Sequence, residues 1–394
     1  MPRNTVRAAA VLFTALLATG CSSHSHWQRQ KDQINGLQQT RRVIPPVGGY
    51  RDFPGVVHVH SLLSHDSRGT MDEIVEGAKR AGLAFVIMTD HHSPKVYERG
   101  FEGWFDGVLI LRGSEIIKGC YGRTGDTCNS LLVLGLKEYI DHKPLTMSQI
   151  IEAVKQRGGL AFVAHPKGFK DWDSPDVDGM EIYDVLDDAV DHRGRFPRYF
   201  FDIWYSFDAY PEEVFLSILD RPEENLKRWD GLTQRRRWVG LAGNDAHQNI
   251  RVLGRQIDPY ELSFRFVRTH VLAKELNESE VLRALAAGHV YISFDILSDA
   301  TGFVFWAGDP AFQGLQGDEV SLSPGLTLRI ESPVVGMIEL IRNGTVIRRA
   351  TALQLAVPVE ESGAYRVQIS LKIGGRWLPW IFSNPIYVRE KVGG

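Results

Sequence analysis

The stretch VVHVHSLLSHDS, residues 56–67, sets His58 and His60 in an apolar run and follows them with Asp66. Side chains in an extended strand alternate between faces, so imidazoles two residues apart leave the same side of a sheet. Two nitrogen donors on one face, with a carboxylate just past the strand, make half of a metal-binding set. Other strands must supply the remainder.

The same texture recurs along the chain. LAFVIMTDHH (83–92), GVLILRGSEI (107–116), SLLVLGL (130–136), LAFVAHP (160–166), GMEIYD (179–184), WVGLAGNDAH (238–247) and RTHVLA (268–273) are short apolar runs, most ending in or interrupted by polar residues. Helical patterning fills TMDEIVEGAKRAG (70–82), TMSQIIEAVKQRGG (146–159) and NESEVLRALAAGH (277–289), which open on Thr or Asn as N-caps and close at glycine. Strands alternating with helices predict an α/β fold on a parallel sheet. Titratable residues gathered at the ends of the runs favour a barrel, whose chemistry collects at that rim.

Beyond about residue 300 the helical patterning stops. LTLRIES (326–332), GMIELIRNG (336–344), AYRVQISL (364–371) and NPIYV (384–388) read as strands, with Asn343-Gly344 a strong hairpin signal. A small all-β sandwich over 301–394 is therefore expected after a barrel over 51–300. An aromatic and basic helical insertion near 191–238 breaks the barrel cadence. It reads either as a rim element shaping substrate access or as a packing subdomain.

His58, His60, Asp66, His91, Glu115, His165, Asp245 and His247 all sit at or just beyond strand ends. Burying so many acids and imidazoles together without a cation costs several kcal/mol per uncompensated charge. Imidazole and carboxylate donors without thiolate suit Zn, Mn or Fe, and there are too many for one tetrahedral ion. Paired ions sharing a carboxylate, with a hydroxide between them, predict hydrolysis. His92 should face the opposite side of its strand, Asp90 reads as a strand-end acceptor, and Ser61 and Ser64 as supports for ligand orientation. His65 reads as solvated, and His142, His270 and His289 have no convergent partner in view.

The ordered set HVHS, HDS, TDHH, GSE, AHP and GNDAH resembles the PHP superfamily, named for polymerase and histidinol phosphatase, over roughly residues 54–295. The resemblance implies a distorted (β/α)7 barrel with two or three divalent metals. It implies that His58, His60, Glu115 and Asp245 hold one ion, with Glu115 bridging, and that Asp66, His91 and His247 hold another. Asp66, Glu115 and Asp245 would be the catalytic carboxylates. The third family position uses the bridging Glu115, His165 and a further histidine, where this chain has Asn129 or Ser130. Two firmly bound ions are expected. AGHVYISFD (287–295) and WIFSNPIYV (380–388) are similar to the branch related to carbaryl hydrolase, in which a β-sandwich follows the barrel.

Such a site suits phosphomonoester or phosphodiester hydrolysis, with Arg193, Arg195 and Arg251 as candidates to hold the phosphate. Cleavage of a carbamate, ester or amide is the alternative, and a non-catalytic surface binding module a further one. A formal net charge of −3 gives no global attraction to nucleic acid, and none is expected as a partner. Forty-three per cent hydrophobic and 24% charged residues exclude wholesale disorder.

Arg3 and Arg7 precede the apolar run AAAVLFTALLA, which is too short for a comfortable membrane span and leads into LLATGC. This resembles a bacterial lipoprotein signal over residues 1–21, with Cys21 the lipidated residue, although Ala18 stands where Leu is commoner; an uncleaved N-terminal anchor is the alternative. It implies a protein of the cell envelope, anchored in the outer membrane and facing the periplasm. Residues 22–50 read as a polar tether, with His24 and His26 solvated. Export permits disulfides, and Cys120 and Cys128 across a glycine-rich loop are expected to pair, two free thiols being the alternative.

Overall fold

Strand β1 (Arg51–Val59) is the seam of the molecule. In the computed structural model, which describes residues 24–121, 127–173, 176–185, 206–252, 254–308 and 311–390, β1 hydrogen-bonds to three neighbours. Its first half, Arg51–Gly55, runs antiparallel to a strand that leads into the β-rich end of the chain. Its second half closes the barrel.

The barrel strands that follow are β2 (Phe85–Met88), the short edge strand β3 (Gly103–Phe105), β4 (Val108–Tyr121), β5 (Thr127–Leu134), β6 (Leu160–Ala164), β7 (Gly179–Asp184) and β8 (Val239–Ala246). Pairing runs β1-β2-β4-β5-β6-β7-β8 and returns to β1, a closed ring of seven. All neighbours are parallel except at β5, which is antiparallel to both β4 and β6 and distorts the barrel. The strands are buried on both faces, as parallel sheets covered by helices require, which is why their sequences are continuous apolar runs.

Helix boundaries obey local chemistry. Thr70 and Thr146 each form a capping box, with Glu73 and Gln149. Asn277 caps helix Glu278–Ala287, and Gly82 and Gly288 end their helices in the left-handed conformation that a Cβ disfavours.

The sheet continues beyond the barrel. A two-stranded hairpin, β9 (Arg251–Val252) with β10 (Arg255–Gln256), stands apart, and then β11 (Arg268–Ala273) and β12 (Val290–Ser293) lead on from β1. The all-β region comprises β13 (Val304–Gly308), β14 (Phe312–Leu315), β15 (Glu319–Ser321), β16 (Thr327–Arg342), β17 (Thr345–Pro358), β18 (Gly363–Ile373), β19 (Arg376–Ser383) and β20 (Ile386–Arg389). The long strand β16 pairs with β17 on one side; on the other its first part meets β13 and its second part β18. Asn343 and Gly344, both with positive φ, make the two-residue turn between β16 and β17.

Barrel and extension share one apolar core, which includes Trp229, Phe294, Phe303 and Trp380. β12 pairs with β19 across the join. The Asn384 side chain bonds both the N–H and the carbonyl of Gly240, and the Arg366 guanidinium grips Asp230 through two bonds of 2.6 and 2.8 Å.

The segment expected to be a tether is helical over residues 24–39. Its apolar residues Trp27, Ile34 and Leu37 fall on one helical face, and Trp27 is buried against Phe207, Val214 and Leu262. His24 and His26 therefore lie in a docked helix, not a solvated linker, and the His24 ring packs against Tyr210. Arg41 then bonds the carbonyls of Asp299 and Thr301, and Arg42 reaches Ser332, Glu331 and Leu353, strapping the segment to the extension. Among the described residues no helix is long and apolar enough to cross a membrane. Residues 1–21, with Cys21, lie outside the described residues.

Candidate metal centre

The barrel strands deliver their ligand candidates to one mouth, and three of them do so by breaking local rules. His58, His165 and Asp245 have φ of 68°, 47° and 43°. This left-handed backbone costs a side-chain-bearing residue roughly 1–2 kcal/mol. The register of β1 slips between Val57 and Val59 against both β2 and β8, so His58 sits in a bulge. Bulges re-aim side chains beside functional sites. The bulge acts together with alternation to bring His58 and His60 to one side, with ring centroids 5.1 Å apart.

Two donor groups form around Glu115. His58 Nε2 lies 3.2 Å from Asp245 Oδ1 and 3.8 Å from Glu115 Oε2; His60 Nε2 lies 3.4 and 3.7 Å from the same atoms. His91 Nδ1 is 3.2 Å from that Glu115 Oε2, and its Nε2 is 3.0 Å from Asp66, whose other oxygen is 3.5 Å from His247 Nε2. Donors each held roughly 2.0–2.2 Å from a common cation stand about 2.9–3.6 Å apart. The observed spacings lie in or just beyond that range; Glu115 faces the first group and His91 Nδ1, while Asp66 and His247 gather with His60 on the Nε2 side of His91.

The donor atoms fit divalent ions in a second way. His58 Nε2, His60 Nε2 and His91 Nδ1 are buried without a hydrogen-bond partner, while other ring atoms are engaged. His60 Nδ1 meets Ser64 Oγ at 3.0 Å, and Ser64 in turn donates to Asp90 at 2.7 Å. His247 Nδ1 donates to the Asp245 carbonyl at 2.9 Å. With Nδ1 carrying the proton, His60 and His247 present Nε2 lone pairs to the mouth.

Electrostatics agrees. Burial by itself would depress the His91 pKa, but Glu115 and Asp66 outweigh it and carry it up to about 9. Burial would likewise raise Glu115, yet His58 and His91 hold it well below the usual carboxylate range. Asp245 is lowered in the same way, burial being overcome by His58, His60, His165 and His247. A field that draws protons onto imidazoles this strongly draws cations too.

The third position is different. His165 Nε2 is 3.6 Å from Glu115 Oε1 and 4.0 Å from Asp245 Oδ2. Ser130 donates to Glu115 Oε1 at 2.5 Å. Asn129 is spent on the loop after β6, its side chain accepting from the Lys170 and Asp171 amides and donating to Asp171.

The remaining sequence candidates scatter. Arg251 is exposed in the β9–β10 hairpin, and Arg193 and Arg195 lie outside the described residues. Cys120 and Cys128 form a disulfide. His92 is buried, bonded to Ser114 and the Ile140 carbonyl, and His65 is exposed. His270, which had no visible partner, contacts Asp52 and Asp295 at the far end of β1. Glu181 and Asp184 of β7, passed over in the sequence, are buried beside His58 and His165. The acids at the third and sixth places of GMEIYD look like exposed positions; only the burial of the entire strand reveals otherwise.

The seven-stranded barrel with clustered His, Asp and Glu at its mouth and the all-β extension are consistent with the PHP-type fold that the sequence resemblance implies. An uncharacterized protein of Methanocaldococcus jannaschii is 30% identical over 142 residues, 34% of this chain and 77% of that protein; the chain belongs to the same family as that protein. A probable phosphatase of Citrobacter koseri is 30% identical over 131 residues, and one of Escherichia fergusonii 28% over 132, each match covering 29% of this chain. The chain spans about half the length of these two curated relatives, 54% in each case. A two-domain protein from Bacteroides vulgatus, containing a predicted PHP-like metal-dependent phosphoesterase, overlaps 87% of this chain and 98% of its own at 15% identity, with a TM-score of 0.42. No protein-family model matches the chain.

Proposed function

We propose that the protein is a divalent-metal-dependent phosphoesterase acting on small phosphomonoesters or phosphodiesters. The observation that carries the reading is the clustering of His, Asp and Glu donors on either side of Glu115, at spacings in or just beyond those of donors sharing a cation. The probable phosphatases among its relatives support the bond type. His58, His60, Glu115 and Asp245 would hold one ion, and Asp66, His91, His247 and Glu115 a second. Bound there, Zn, Mn or Fe would polarise a phosphoryl oxygen and acidify water.

The chain's own residues set the conditions. Glu115 and Asp245, held well below the usual carboxylate range, stay ionised at neutral pH and supply fixed negative charge to the mouth. Asp66 is partly exposed, so this side of the site is the open one. Arg251, Arg193 and Arg195 are the proposed phosphate holders. At the third position the chain has Asn129 and Ser130 in place of a further histidine, and Ser130 donates to Glu115, which favours two ions over three.

Two finer readings rest on the sequence. Likeness to the carbaryl-hydrolase branch makes carbamate or ester cleavage the alternative reaction. The LLATGC signal supports lipidation at Cys21 and a place in the outer membrane, facing the periplasm.

Elemental analysis and a substrate panel with added Zn or Mn test the proposal. About two equivalents of metal and phosphoester turnover are expected, with turnover abolished in His58→Ala. Protein that takes up no transition metal sinks the reading; carbamate turnover exceeding phosphoester turnover replaces the substrate class. Metal uptake without any turnover turns it into a binding module.

A further inference from the structure

Glu181 is fully buried in β7 and belongs to neither donor group around Glu115. Its Oε1 lies 2.7 Å from His58 Nδ1, and its Oε2 accepts the backbone N–H of His165 at 3.0 Å. The 2.7 Å separation is too short for two donors sharing one cation, which stand about 2.9–3.6 Å apart. It is the length of a charge-assisted hydrogen bond. The opposite nitrogen of the same ring, Nε2, is the one that is buried without a partner and faces Asp245 and Glu115.

We propose that Glu181 is the positioning residue of the metal centre: one carboxylate that fixes the His58 ring with its proton on Nδ1, and at the same time pins the backbone of His165. The inference rests on the metal-dependent reading of this site. Both residues it holds have positive φ, so both occupy backbone conformations that an unrestrained chain leaves. A single group bonded to both keeps the ligand candidate His58 and its strained neighbour His165, just beyond strand 6 of the barrel, in one geometry. Outer-layer partners of this kind orient a ligand imidazole and raise its basicity.

The strand facing Glu181 is built to admit it. A Cβ on Gly243 would stand 2.1 Å from Glu181 Oε1 and 2.8 Å from Asp184 Oδ2. Gly243 has an ordinary negative φ, so the glycine serves space and not backbone freedom. Asp184, whose oxygens lie 3.9 Å from His58 Nδ1 and 3.7 Å from His165 Nδ1, adds a second buried charge behind the same two rings.

The test is Zn affinity of the full-length protein by chelator competition, with stoichiometry by elemental analysis, in Glu181→Ala and the isosteric Glu181→Gln. An amide oxygen accepts one of the two bonds and an alanine neither. Glu181→Gln is therefore expected to weaken binding by about tenfold and Glu181→Ala by up to about 100-fold. Thermal unfolding of each metal-free variant separates positioning from bulk stability: a merely structural carboxylate lowers the midpoint and leaves the affinity of the folded protein unchanged. Affinity within twofold of wild type in Glu181→Gln, or in a folded Glu181→Ala, overturns the proposal; should Glu181→Ala fail to fold, Glu181→Gln decides. Wild-type protein that binds no Zn overturns the metal reading itself, a distinct result.

Discussion

Raising the pH should loosen the join between barrel and extension through one buried imidazole. His270, in β11, is inaccessible to water and stacks on Tyr291. Its Nδ1 is 2.9 Å from Asp52 and its Nε2 3.7 Å from Asp295. Burial alone would lower its pKa, but Asp52 and Asp295 outweigh burial and raise it from 6.5 to about 9. Asp295, which burial would raise, is lowered to about 2 by Arg268 and His270. At roughly 1.4 kcal/mol per unit, the His270 shift is worth on the order of 3 kcal/mol. Because the folded pKa is the higher one, this contribution is complete below about pH 6.5 and disappears as pH rises through about 9. For Asp295 the direction reverses: its contribution is present above its ordinary 3.8 and lost as pH falls toward about 2. Both report largely the same contact and do not add. Urea denaturation of wild type and His270→Gln, from pH 6 to pH 10 at constant metal, isolates the contribution as the difference between the two proteins. The wild-type advantage should shrink by about 2–3 kcal/mol across that interval. A gap that stays constant would refute the assignment of the proton to His270.

Trp27→Ala should free the helix of residues 24–39 without unfolding the barrel, since the loss of about 3 kcal/mol of burial falls on one docked element. Hydrogen exchange should quicken over residues 24–39 and stay unchanged in β1–β8; global unfolding would contradict this. Arg366→Ala leaves the Asp230 carboxylate buried without its partner and should cost about 3–5 kcal/mol in chemical denaturation, whereas Arg366→Met with Asp230→Leu should recover most of it. Equal losses in the single and double variants would argue against the ion pair as the cause.

Much of the scaffold could be read from short-range chemistry. Thr70, Thr146 and Asn277 mark helix starts because a side-chain oxygen must meet orphan amides there, and Asn343-Gly344 marks a turn because both residues tolerate positive φ. The ligand candidates were legible for a related reason: acids and imidazoles stand out at the ends of apolar runs. Strand direction was not legible, since SLLVLGL reads alike whether β5 runs with its neighbours or against them. Nor was Glu181, whose partner His58 lies 123 residues away in the chain. The bulge at His58 depends on two neighbouring strands, and local alternation predicts the right convergence for an incomplete reason. The helix of residues 24–39 escaped notice because its apolar residues are few and sit among glutamines and charges.

That helix also governs how the molecule would work if it is anchored at Cys21. A slack leader of about 29 residues would let the body roam some 30 Å from its lipid, at ~5–6 Å times the square root of length. Docking of residues 24–39 leaves only residues 22 and 23 between Cys21 and the folded body, so that three extended steps of chain would span about 10 Å. A protein so anchored would not patrol: it would stand close to the bilayer, and its substrates would have to come to it.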